Sequence, residues 1–213
     1  IVWDLLAKHV SRTQSFTTRF VMQNFNAIID GLESERAKTL RRVSNDLAKE
    51  KIELKKYRRQ ELLALRRVPT EIAIERNTWF HLGINSSEQF IYCLRRILDP
   101  VKEHVDNNFN PLPAEYIEEF RPIRAQINDL MQQTESQIST CRFENYRETL
   151  ALADQCKDEL SVIRKKHIDR IQQSKDNSKL QVSLVYLNLL QESQQLLSNM
   201  RHQLRAAKKF IDN

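Results

Sequence analysis

Glycine is nearly missing from this chain, with Gly31 and Gly83 the only two in 213 residues. Positive-φ turns, β-hairpins and glycine-rich phosphate loops all draw on that residue, so a chain without it has little room for them. Proline is scarce as well. Its five copies fall where helical patterns begin or end, with Pro122 a candidate for a first helical turn. The three cysteines, Cys93, Cys141 and Cys156, are odd in number, scattered, and lack Cys-x-x-Cys spacing. That argues against a disulfide framework or a zinc ribbon and fits a reducing compartment, with each cysteine read as a small apolar side chain. No run reaches the roughly 18 to 20 uncharged apolar residues of a membrane span, and no secretory leader pattern is present. The chain opens on Ile1 rather than methionine, as expected of a fragment excised or processed from something longer.

What is abundant is helical periodicity. Residues Ile1 to Val10 read as a short helix or entry segment, with Ser11 or Thr13 capping a following helix that carries Phe16, Phe20, Val21, Phe25, Ile28 and Ile29 and breaks near Gly31. A highly charged helix follows from Leu32 to about Val68, apolar on one face through Leu40, Val43, Leu47, Leu54, Tyr57, Leu62 and Leu65. Pro69 ends it, and Thr70 is placed to cap a third helix through Trp79, Phe90, Leu94 and Leu98, with Pro100 a candidate kink near its end. The stretch Asp106 to Pro113 reads as the principal connection. Beyond it, helices are expected from about Pro113 to Ser139, Glu144 to Gln173, and Leu180 to Phe210. The fold expected is all-α, two tandem three-helix units over residues 1–110 and 111–213.

The two halves share this layout, and some residues can be superposed. Phe25 to Leu32 lies on Ile123 to Leu130, with Asp30 matched by Asn128. Trp79, Phe80, Ile84, Phe90, Ile91, Leu94 and Leu98 fall on Val185, Tyr186, Leu190, Leu196, Leu197, Met200 and Leu204. An internal duplication is therefore expected.

Charge is uneven. From Arg36 to Arg67 there are twelve basic residues against four acidic ones, Asp46, Glu50, Glu53 and Glu61. Since the whole chain is only +6, the remainder is slightly acidic. Such a helix can meet phosphate groups, an anionic membrane or an acidic partner, and Lys55, Lys56, Arg58 and Arg59 are the interaction residues chosen from it. The bland alternative is a solvated helix with its charges paired locally, Glu50 beside Lys51 and Glu53 beside Tyr57. Nucleic acid is a poor fit, because Tyr57 is the one aromatic interleaved with the basic residues and no recognition motif appears.

Catalytic signatures are lacking. His9, His81, His104, His167 and His202 are dispersed, and there is no nucleophile elbow or nucleotide loop. Asp154 and Asp158 share a helix face, as do Glu144 and Glu148, but a hard cation needs oxygens from several elements. Glu88 and Glu192 would join such a site only if folding brought them together. No catalytic residue, cofactor or metal site is assigned, and a non-enzyme is expected.

The segments Ser183 to Phe210, Ser15 to Ile29 and Glu103 to Pro113 carry a family likeness. Over nearly its whole length the chain resembles the cytoplasmic C-terminal extension of bacterial inorganic phosphate permeases of the PiT type, a PhoU-like domain. The resemblance implies two three-helix bundles and a regulatory role. It further implies a partner in the transmembrane permease domain of the same polypeptide, at the cytoplasmic side of the bacterial inner membrane, with anionic lipid and a second copy as further contacts. PhoU proteins bind metal clusters through Glu/Asp-x-x-x-Asp motifs on the third helix of each repeat. Here those stretches carry Asn85, Ser86, Ser87 and Glu88, and Asn188, Gln191 and Glu192, so the motif is eroded and no metal is carried over. The competing expectations are a stand-alone helical adaptor or scaffold and a metal-loaded phosphate-signalling module.

Overall fold

Where the chain turns, it does so without glycine. The computed structural model describes residues 2–212, apart from the side chain of Val2. Its helices are α1 (Val2–Glu33), α2 (Ala37–Leu65), α3 (Thr70–Asp106), α4 (Ala114–Thr140), α5 (Tyr146–Gln173) and α6 (Leu180–Ile211), the last entered through a 3-10 turn at Asn177–Lys179. No strand occurs among the described residues, and the fold is an all-α helical bundle. Glu35, Asn108 and Cys141 take positive φ, at 52°, 53° and 56°. After each, an amide reaches five residues back: Arg36 to the Gly31 carbonyl (2.9 Å), Phe109 to His104 (3.2 Å) and Arg142 to Gln137 (3.1 Å). This closure satisfies carbonyls that a helix end leaves open, and glycine normally makes it.

The two glycines serve close approach instead. A β-carbon on Gly31 would stand 2.6 Å from Leu40 Cδ2, and one on Gly83 2.5 Å from Gln14 Nε2. The break expected at Gly31 is therefore not there, and α1 passes through it to Glu33.

Other expected boundaries are also corrected. The entry segment and the next helix are one element, because nothing between Val2 and Asp30 interrupts the amide ladder. Ser11 is no cap, for its hydroxyl donates across to the Ile138 carbonyl on α4 at 2.6 Å. Thr13 bonds back to Val10 at 3.1 Å, the usual satisfaction of a mid-helix hydroxyl. Thr70 is the first residue of α3, with Pro69 in the cap position and no side-chain cap bond. Glu144 precedes α5. Pro122 lies well inside α4 rather than in its first turn, and α3 continues through Pro100 to Asp106. A helical proline leaves the carbonyl four residues earlier without its donor. At Pro100 that carbonyl is Arg96's, and Asn188 Nδ2 donates to it from α6 at 2.8 Å.

Four helices make the centre. α1 packs on α4 and α3 on α6, while α2 covers α1 and α3 and α5 covers α4 and α6. The largest buried cluster draws on all six, including Phe25, Leu47, Phe90, Ile127, Leu160 and Leu197. Both central pairs run antiparallel, shown on α1 and α4 by Arg19 against Glu135 (3.5 Å) and Arg124 against Asp30 (2.8 Å). Superposing Phe25–Leu32 on Ile123–Leu130 makes Asn26 equivalent to Arg124 and Asp30 equivalent to Asn128. Arg124 bonds Asn26 (2.9 Å) and Asp30 (2.8 Å), and Asn26 bonds Asn128 (2.7 Å). Exchanging the halves maps this contact set onto itself, as an isologous interface about a two-fold axis requires.

Two substitutions check these assignments by urea denaturation. Gly31→Val should cost about 1–3 kcal/mol, since its side chain must displace the buried Leu40. Glu35→Gly should leave stability unchanged or raise it by about 1 kcal/mol, because the left-handed backbone there is strained for a residue with a β-carbon.

Candidate functional site

A side chain already engaged by its own protein is a poor candidate for a partner, so the polar groups divide by whether they are satisfied. The richest internal network joins α4, α5 and α6. Tyr186 donates to Glu119 at 2.7 Å, Arg170 donates to the same carboxylate at 2.8 Å, and His167 bonds the Ser183 carbonyl at 2.8 Å. Tyr116 stacks on Tyr186 with ring centres 4.7 Å apart. Burial opposes the charge on Glu119, but the bonds from Arg170 and Tyr186 outweigh it and hold the carboxyl below its usual range. Burial pushes His167 the other way, towards its neutral form, and Arg170 adds to that. This network ties the three helices together and acts as a structural clamp, with Arg170 Nε its one buried nitrogen left without a partner among the described residues.

Two of the three cysteines are equally inert. Burial is the main cause lifting both the Cys93 and the Cys156 thiol, the latter to about 11, with Glu192 and Glu159 adding to it, so neither is a thiolate near neutrality. Three of the six acidic residues considered as metal ligands go to separate partners. Asp154 meets Arg201 at 3.4 Å, Glu88 meets Arg58 at 3.1 Å, and Glu192 meets Arg96 at 3.0 Å. Folding does not bring Glu88 and Glu192 into one site, and no group of three or more His, Cys, Asp or Glu side chains converges among the described residues.

The outer face of α2 is the opposite case. Leu40, Val43, Leu47, Leu54 and Leu65 are buried, while Tyr57 and Leu62 pack at the margin. All twelve basic residues from Arg36 to Arg67 are exposed, and none of the four acidic ones is. Glu50 and Glu61 occupy stripe positions, in register with Leu47, Leu54 and Leu65, and both are buried. Burial drives the Glu50 carboxyl up to about 7, with Glu53 adding to it, and drives Glu61 to about 7 against the opposing bond from Thr13. Glu61 Oε1 accepts from Thr13 at 3.2 Å, and His9 Nδ1 stands 3.7 Å from Oε2. The expected local pairing of Glu50 with Lys51 is thus replaced by burial of the carboxyl, while the ammonium sits over the Tyr92 ring at 5.4 Å.

Of the four residues chosen from sequence, Lys55, Lys56 and Arg59 are exposed without an acidic partner among the described residues, and Arg58 leans onto Glu88 of α3. At about 100° per residue, Arg41, Lys49, Lys55, Lys56, Arg59 and Arg66 share one face with Ile52 and Leu63. Those two apolar residues are 67% and 53% exposed, enough to make direct contact with whatever the face meets. Composition could not reveal that the acids point inward, but the three-four spacing that runs through Glu50 and Glu61 carried the signal.

No family model matches this chain, and no curated protein does. No helix of the described residues is long and apolar enough to cross a membrane.

A carboxyl whose pKa is higher folded than unfolded gives stability in acid that is lost as the pH rises, here between about 4.5 and about 7. Glu61→Gln should therefore flatten this loss. Above pH 7 it should stabilise the fold by about 1–3 kcal/mol, with no gain below pH 4.5, in urea titrations across that range.

Proposed function

We propose that the chain is a non-enzymatic regulatory domain of an inorganic phosphate permease, docking through the outer face of α2. One observation carries the reading: on that helix every basic side chain is exposed, and the acidic ones are buried or half-buried. A field of one sign laid along a single helix attracts an anionic surface. The cytoplasmic loops of membrane proteins are themselves rich in Lys and Arg. The better complement is the anionic headgroup layer around the permease, which attracts each Lys or Arg near it by about 1 kcal/mol. Ile52 and Leu63, in the middle of the strip, can then enter the headgroup boundary.

Docking alone regulates nothing. A helical domain changes a transporter only if it binds two of its conformations with different free energy. The closed central bundle supplies the rigidity this needs, and the separate packing of α2 on α1 and α3 leaves its outer face available. The resemblance of the three quoted segments to permease extensions supports phosphate as the transported ion.

Replacing Lys55, Lys56, Arg58 and Arg59 together by Gln tests both parts. Binding to vesicles containing phosphatidylglycerol should fall by about a hundredfold or more, and the remaining affinity should depend less on salt. In the polypeptide joined to its permease, phosphate uptake should change its response to external phosphate. Uptake equal to the parent at both low and high phosphate would remove α2 from the account.

A further inference from the structure

The contacts between α3 and α6 hold an internal carboxylate on one side of the seam and a cleft on the other. On the filled side, Arg96 Nε donates to both Glu192 oxygens at 3.0 Å, and the Cys93 thiol lies 3.4 Å from Oε2. The superposition that lays Trp79 on Val185 and Leu98 on Leu204 also lays Cys93 on Asn199, Arg96 on His202, Asp99 on Arg205 and Ser86 on Glu192. The two helices run antiparallel, with Cys93 opposite Glu192 and Ser87 opposite Gln203. The image of the filled side is therefore Ser86 facing Asn199 and His202, and these residues line one open cleft of about 250 Å³ with Asn85, Gln89 and Arg205.

Two of the changes across the axis remove negative charge, while a third puts His202 in the place of Arg96. Where one side has a glutamate, the other has the short Ser86. Where one has Asp99, the other has Arg205. No acidic residue lines the cleft. Asn85, Gln89, Asn199 and His202 make no side-chain hydrogen bond within the protein, among the described residues. Burial first, and then Arg201, Lys157 and Arg205, push His202 towards its neutral form; of these cations Arg205 lines the cleft, while Arg201 is paired with Asp154 of α5 at 3.4 Å. We infer that this cleft binds a small oxyanion, a phosphate or carboxylate group that takes the place Glu192 fills on the opposite side. Arg205 lies over the Trp79 ring at 5.5 Å, and Trp79 with Leu82 walls the apolar end of the cleft, leaving room for a ligand body.

A metal cation fits the cleft less well than an anion, since the lining offers Arg205 and no carboxylate to a hard metal, and one His with no Cys to a soft one. The inference is separate from docking by α2, none of whose residues lines the cleft. The test follows the ring resonances of His202 and Trp79 during titration with inorganic phosphate, adenosine monophosphate or succinate, each against sodium chloride at matched ionic strength. A saturable shift with at least one oxyanion and none with chloride is expected. Which one saturates at lowest concentration tells free phosphate, a phosphate monoester and a carboxylate apart. Arg205→Gln, at an exposed position, should weaken binding by about tenfold or more. Ser86→Glu installs the carboxylate found on the other side and should abolish it. Linear shifts with all three ligands, or saturable ones unchanged in both variants, would overturn the assignment.

Discussion

The antiparallel seam of α3 with α6 is the contact on which the other packing depends. Between the Ser87–Gln203 bond at 3.1 Å and the Cys93–Glu192 bond lie Phe90 and Ile91 on one helix and Leu196 and Leu197 on the other, all buried. Burying such side chains yields about 1.5–3 kcal/mol each, and the polar bonds at either end fix the register that lets them meet. α1 then enters the same network, as Thr18 donates to Gln203 at 2.7 Å. With the seam and α1 set, α2 and α5 have grooves to fill, each covering the two helices that flank it in sequence.

Glycine scarcity has a consequence beyond turn chemistry. The helices closed by Glu35 and Cys141 end on residues for which the left-handed region is strained, whereas Asn108 is a residue that enters it more readily. The prolines obey the same logic. Asn188 supplies the donor that Pro100 withholds from Arg96, and that donor comes from another helix. Local rules are broken at these positions because long-range contacts compensate them.

The two halves share a helical layout and differ in their electrostatics. α2 is basic outside with carboxyls buried beneath, whereas the corresponding outer helix α5 mixes acids with bases. Across the α3–α6 seam an ion pair on one side is matched by a cleft lined by Arg205 and no acidic residue on the other. Corresponding positions of the two halves differ in a few side chains, which separates their chemistry without disturbing the buried stripe.

The chain's own sequence determined that it is helical, roughly where the helices lie, and which helix is basic, because three-four periodicity and charge density are properties of neighbouring residues. Boundaries at Ser11, Gly31 and Pro122 were not legible there, since whether a hydroxyl caps, a glycine breaks or a proline ends a helix depends on what packs alongside. The basic strip was legible in its residues but not in its purity, which rests on Glu50 and Glu61 turning inward against α1 and α3. The cleft of Ser86, Asn199, His202 and Arg205 was decided by tertiary structure alone. Ser86 is more than a hundred positions from the other three, and only the antiparallel register of two helices, set by buried packing, brings them to one place.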